Sequence, residues 1–268
     1  MREIKNVKDV QKITFSIMKR VDEICNKNSV VYYAVGGTLL GAVRHRGFIP
    51  WDDDIDIAIF RKDVDKFINA INGSNSGLYC CSFKDDCYYY NFLKVVDIKT
   101  TLCEKDYYEI PNMGIFVDVF IIDDMPSKWD EAIAFYKKIA SARKKIKIMA
   151  IKPVMRKNII LFLKTVIKSI QNRNKTITKY QNKYIELVKT FENSPIIYVS
   201  GGSYGTKDMF DRKVFGDPTF LPFEDMLLSC PTDSNAYLKR LYGDYMQLPP
   251  IEKRKSHHNF VAYYKEGD

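Results

Sequence analysis

One short run constrains this chain more than any other: Trp51-Asp52-Asp53-Asp54-Ile55-Asp56-Ile57-Ala58-Ile59. Acids and isoleucines alternate through it, and in an extended segment residues two apart point to the same side. The pattern predicts a strand over residues 54–59, with Ile55, Ile57 and Ile59 in a core and Asp54 and Asp56 together on the other face. Two carboxylates about 6–7 Å apart on a rigid ribbon repel each other unless a cation sits between them. That arrangement suits Mg²⁺ (or Mn²⁺), a hard ion that takes one or two carboxylates and completes its shell with water and phosphate oxygens. An EF-hand loop starting at Asp52 fails, because Ile57 stands where glycine is needed and Asp63 where glutamate is needed.

Two further features point to the same chemistry. Asp118 lies inside Ile115-Phe116-Val117-Asp118-Val119-Phe120-Ile121-Ile122. Burying a lone aspartate in so apolar a strand is costly without a partner, so Asp118 is the candidate third acid. Upstream, Gly36-Gly37-Thr38 joins an apolar run at 30–35 to a helical pattern at 38–44. Backbone N–H groups at such a junction favour an anion, and glycine lets a phosphate approach closely. Arg44, His45 and Arg46 follow it, and Lys94 sits in another apolar run; Arg44, His45 and Lys94 are candidates to hold phosphate oxygens. The combination predicts a site for a metal-bound nucleoside diphosphate.

Around these features the periodicity predicts helices over 6–27, 128–138, 178–191 and 233–242, and a short one capped by Asp63 with Val64, Phe67, Ile68 and Ile71 inward. Strands are predicted over 89–96 and 114–122, rich in aromatic and β-branched residues. Strands early and helices later give an α+β class: a mixed sheet with flanking helices and a helical C-terminal half. The net charge of +9 is concentrated, with sixteen Lys/Arg against the single acid Glu186 between Lys137 and Lys189. Residues 1–136 are therefore read as a catalytic core, 137–190 as a basic helical insert, and 191–268 as a part completing the active site, all in one structural domain. A basic amphipathic stretch of this kind touches an anionic surface, here a peripheral membrane contact in preference to nucleic acid. No segment approaches the ~18 apolar residues of a membrane span. Lys8, Asp9 and Lys12 break any signal-peptide core, so the expected location is cytoplasmic, at the inner face of the membrane. Six cysteines without a C-x-x-C pair read as reduced thiols filling the core.

The run from Val35 to Asp56 resembles the signature of the LicD/fukutin family. Leu241-Tyr242-Gly243-Asp244-Tyr245-Met246-Gln247-Leu248-Pro249-Pro250, followed by Lys253-Arg254 and His257-His258, resembles the C-terminal signature of its bacterial members. The resemblance implies a nucleotidyltransferase-like fold. It also implies transfer of a phospho-alcohol, most often phosphocholine from CDP-choline, to a hydroxyl of a cell-surface glycan or its lipid-linked precursor, such as lipopolysaccharide or teichoic acid. The family's metal-binding aspartates carry over onto Asp54 and Asp56, with Asp52 as a further candidate. Asp118 would orient or deprotonate the acceptor hydroxyl, and His257, His258 and Arg254 would close the site. A nucleotidyltransferase adding a nucleoside monophosphate to RNA, protein or a small molecule would use the same aspartates, and a non-catalytic adaptor at the membrane would not need them. Choline would call for an aromatic cage, which composition cannot locate among eighteen tyrosines.

Overall fold

The computed structural model of the protein describes residues 1–152, 173–254 and 260–265. Its elements run β1 (Arg2–Ile4), α1 (Val7–Lys27), β2 (Tyr32–Ala34), α2 (Gly36–His45), β3 (Asp56–Phe60), α3 (Val64–Asn72), β4 (Leu78–Cys81), β5 (Leu93–Asp97), β6 (Thr100–Glu104) and β7 (Phe116–Asp124). They continue with α4 (Trp129–Ala150), α5 (Arg173–Val188), β8 (Ile196–Ser200), β9 (Met209–Asp211), β10 (Thr219–Phe223), β11 (Met226–Cys230), α6 (Ser234–Tyr242) and β12 (Phe260–Tyr264). The class is α+β, as the sequence predicts, and the C-terminal half adds strands β8–β12 to its helices.

A seven-stranded mixed sheet carries the order β2-β3-β7-β5-β4, with β8 on β7 and β9 on β8. Its β3 and β7 run parallel, and its other described pairs are antiparallel. The long strand β7 organises the sheet. β3 lies along one side of β7, while β5 and then β8 share the other, β5 against residues 116–119 and β8 against 121–124. Two smaller sheets are β1-β12-β6 and the hairpin β10-β11. Helix α1 buries Val10, Thr14, Ile17, Met18, Val21, Ile24 and Cys25, a stripe at helical spacing that closes one face of the sheet. Asn6 caps its start by accepting from the Lys8 N–H.

Three local expectations change. Asp63 precedes α3, whose Val64, Phe67, Ile68 and Ile71 are buried as predicted, but its side chain makes no capping hydrogen bond. Strand β3 starts at Asp56, so Asp54 lies in the approach to it and the two acids do not share a strand. Gly36 and Gly37 are the first two residues of α2, not a turn ahead of it. Cys25, Cys80, Cys81 and Cys230 are buried, Cys87 and Cys103 half-buried, and none is in a disulfide. Burial pushes the thiols of Cys25, Cys81 and Cys230 up to about 12, which keeps them protonated core fillers.

Candidate active site

Three adjacent strands bring the central residues together. In the register of the sheet Asp56 on β3 pairs with Asp118 on β7, and Asp118 pairs with Lys94 on β5. Residues directly opposite in a sheet share a face, so the three side chains form a row across it. Lys94 Nζ lies 2.6 Å from Asp118 Oδ1 and is 3% exposed. Rings wall the ammonium: its Nζ is 3.3 Å from the centre of Phe116, 4.6 Å from Tyr90 and 5.3 Å from Phe92. The partner that a buried Asp118 requires is thus a lysine held by cation–π contacts.

The remaining acids converge on the same end of β3. One carboxylate oxygen from each of Asp52, Asp53 and Asp54 falls within 4.8 Å of the other two. Asp56 adjoins them. Its burial, and then the charges of Asp54, Asp118 and Asp52, push its carboxyl well above the usual range, against the pull of Lys94. So dense a group of carboxylates is a hard, all-oxygen donor set, the kind that Mg²⁺ or Mn²⁺ takes. Asp52, Asp54 and Asp56 could hold such an ion, and Asp53, 8% exposed, joins them as an acid the sequence reading left aside.

Helix α2 begins directly over these acids. A side chain on Gly36 would place its Cβ 2.9 Å from Asp56 Oδ2, and one on Gly37 would place it 2.6 Å from Asp52 Oδ2. Gly36 also has φ +56°, a conformation that glycine adopts without strain. Glycine is therefore required here for close approach to carboxylates as well as for any phosphate. Thr38, expected at the donor phosphates, turns its Oγ1 to accept the Asp56 N–H at 2.8 Å. The Gly36 N–H donates to Tyr237 Oη at 3.1 Å, which ties α6 to the start of α2.

The cations differ more from expectation. Arg44 donates from Nη1 to the carbonyls of Tyr245 and Gln247 at 2.8 and 3.3 Å, bracing the C-terminal motif instead of pointing freely at the acids. Burial, then the neighbouring Arg254, lowers its pKa, and burial, then Arg44, lowers that of His45. Arg254 donates to the Pro249 carbonyl at 2.9 Å and lies 5.5 Å from the centre of the Trp51 ring. The two sequence motifs are thereby joined beside the acidic run. His257 and His258 lie outside the described residues. Sequence reasoning passed over Glu104, which accepts from Tyr89 Oη at 2.8 Å and from Tyr90 Oη at 2.6 Å. The only signal was the Tyr88-Tyr89-Tyr90 run ahead of β5.

Known proteins resemble this chain at both scales. The family model described as LicD/FKTN/FKRP, nucleotidyltransferase domain, matches residues 29–156, which hold Asp52 to Asp56, Lys94 and Asp118. Lipopolysaccharide cholinephosphotransferase LicD of Haemophilus influenzae is 27% identical over 266 residues, covering 96% of this chain and 97% of that protein. Human ribitol 5-phosphate transferase FKRP is 44% identical over 48 residues, 18% of this chain and 10% of its own length. An uncharacterized protein of Rickettsia prowazekii is 51% identical over 49 residues, 18% of each chain.

Proposed function

We propose, from the premise that this chain belongs to the LicD/fukutin family and is a phosphotransferase, that it moves a phospho-alcohol from a CDP-alcohol to a hydroxyl of a cell-surface glycan or its lipid-linked precursor. Phosphocholine from CDP-choline is the donor pairing we put first. The observation that carries the reading is the row Asp56–Asp118–Lys94, set in register beside the acids that precede β3.

In this reading the acceptor oxygen forms a bond to the phosphorus that bears the alcohol. The bond from that phosphorus to the oxygen of the cytidylyl phosphate breaks, and CMP leaves with the electron pair. Asp118, held in place by Lys94 2.6 Å away, orients the acceptor hydroxyl and takes its proton. The first turn of α2 offers backbone N–H groups and the positive end of its dipole to the donor phosphates. Asp52, Asp54 and Asp56 would hold Mg²⁺ or Mn²⁺, which when bound supplies charge neutralisation for the diphosphate. Phosphoryl transfer needs little from the protein beyond positioning and charge compensation, and these side chains supply both.

Incubation with a CDP-alcohol, a divalent ion and a glycan acceptor, with CMP read by mass, tests the proposal. Asp54→Ala and Asp56→Ala should each abolish metal-dependent release, a loss of at least about a hundredfold. Retained turnover in either variant would end this mechanism. An acceptor heavier by a nucleoside monophosphate would instead establish nucleotidyl transfer.

A further inference from the structure

One cavity of about 550 Å³ opens beside Asp118 and Lys94 and extends to Glu104. Tyr89, Tyr90, Phe92 and Tyr107 line it, together with Arg143, Lys144 and Lys147 of α4. We propose that this cavity seats the alcohol of the donor, and that Glu104 with the rings of Tyr89, Tyr90 and Tyr107 selects a quaternary ammonium such as that of choline. The inference rests on the CDP-alcohol reading above and assigns the residues that choose the alcohol.

Glu104 is the acid of this wall. Both of its carboxylate oxygens accept from tyrosine hydroxyls, Tyr89 at 2.8 Å and Tyr90 at 2.6 Å to each oxygen. Among the described residues it makes no ion pair, so its negative charge is oriented by hydroxyls and not neutralised. Burial, together with the Glu104 charge, pushes both phenols upward, which keeps them protonated as donors to it. A carboxylate held at the hydroxyl ends of aromatic rings attracts a large, weakly hydrated cation. Tyr107 completes the wall by stacking on Tyr89, with ring centres 5.5 Å apart and planes 21° apart.

Spacing agrees with the same occupant. The ring of Tyr90 has Lys94 Nζ 4.6 Å from its centre, while its hydroxyl meets Glu104 at 2.6 Å. One phenol therefore separates the pair beside the phosphate site from the carboxylate. Phosphocholine joins its phosphate to its ammonium by two carbons, a comparable span. The hydroxyl protons of Tyr89 and Tyr90 are already given to Glu104, so these two phenols donate no hydrogen bond to a polyol. A primary ammonium would need several acceptors where this wall offers one carboxylate.

The test compares CDP-choline, CDP-ethanolamine and CDP-glycerol as donors to the full chain, Glu104→Gln and Tyr107→Leu, with CMP release read by mass. Calorimetric binding of choline phosphate is measured in parallel. The parent chain should favour CDP-choline, and each substitution should cut its kcat/KM preference over CDP-glycerol about tenfold, mainly through KM. Tyr107→Leu leaves the Glu104 hydrogen bonds in place, so it reports on the cage if Glu104→Gln folds poorly. Preference of the parent for CDP-glycerol, or equal losses on all three donors, would overturn the proposal. Release of CMP from none of the donors would remove the transfer reading alone. Choline phosphate bound by the parent and lost in Glu104→Gln would then still uphold the pocket, and its failure to bind the parent would overturn it.

Discussion

Lys94 and Asp118 illustrate how far single residues could be read. An aspartate flanked by Val117 and Val119 announces its need of a partner, because an unpaired buried charge is so costly. Nothing in the local sequence names that partner, which stands 24 residues upstream and meets it only through strand pairing. Replacing Lys94 with methionine should cost about 3–5 kcal/mol by taking the ammonium away from the buried Asp118 carboxylate. Lys94→Met with Asp118→Asn should recover most of that loss, as urea denaturation of both variants would measure. Asp208 carries a different prediction. It is 3% exposed, and burial raises its pKa to about 6 despite the Tyr204 N–H it accepts at 2.9 Å. A raised pKa means that the folded state holds a proton the unfolded chain has already released. Stability from this group is thus complete below about pH 4 and lost as pH rises through about 6. Asp208→Asn lacks that titration, so its stability relative to the parent should rise by about 3 kcal/mol between pH 4 and pH 7. Denaturation at the two pH values checks the difference.

At the scale of elements, amphipathic stripes were legible where burial follows a period. Helix α1 obeys its stripe from Val10 to Cys25, and β7 emerged from its β-branched run. Boundaries were set by contacts that the period does not contain. The strand expected from residue 89 begins at Leu93, because Tyr88 is buried and its hydroxyl donates to the Phe92 carbonyl at 2.8 Å, folding that stretch on itself. Strand β3 likewise begins late, since the segment from Asp52 to Ile55 answers to α2 and β7 before any ladder starts. The Asp118 N–H, for instance, donates to the Ile55 carbonyl at 2.9 Å. Helix α6 fixes α2 through Tyr237, whose ring stacks on Phe210 at 4.7 Å between centres. Tyr237→Phe keeps that stack but orphans the Gly36 N–H. It should cost about 1–2 kcal/mol in denaturation and lower kcat, because the first turn of α2 loses its brace over Asp56.

At the scale of the whole molecule one surface is strongly basic. Exposed lysines at 137, 138, 144, 145 and 147 on α4 and at 179 and 183 on α5 lie on two helices packed against each other. Among the described residues no helix is long and apolar enough to cross a membrane. We propose that this basic surface holds the enzyme against anionic lipid, close to a lipid-linked acceptor. Sedimentation with vesicles containing anionic lipid should pull the protein down at low salt and release it as salt rises past the screening of such contacts. Equal binding to neutral vesicles, or binding indifferent to salt, would refute an electrostatic attachment.

The chain's own order of residues determined its class, its family resemblance and the acids at its centre, because alternation and dense like charge are local properties that need no partner to be seen. Tertiary structure decided everything that depends on distance across the sheet. It gave Lys94 to Asp118, set Asp54 ahead of the strand instead of on it, and turned Arg44 toward the carbonyls of Tyr245 and Gln247. It also placed Glu104 against the hydroxyls of Tyr89 and Tyr90. Strand register fixes which side chains face one another, and register is settled by the packing of the whole core, so no window of sequence contains it.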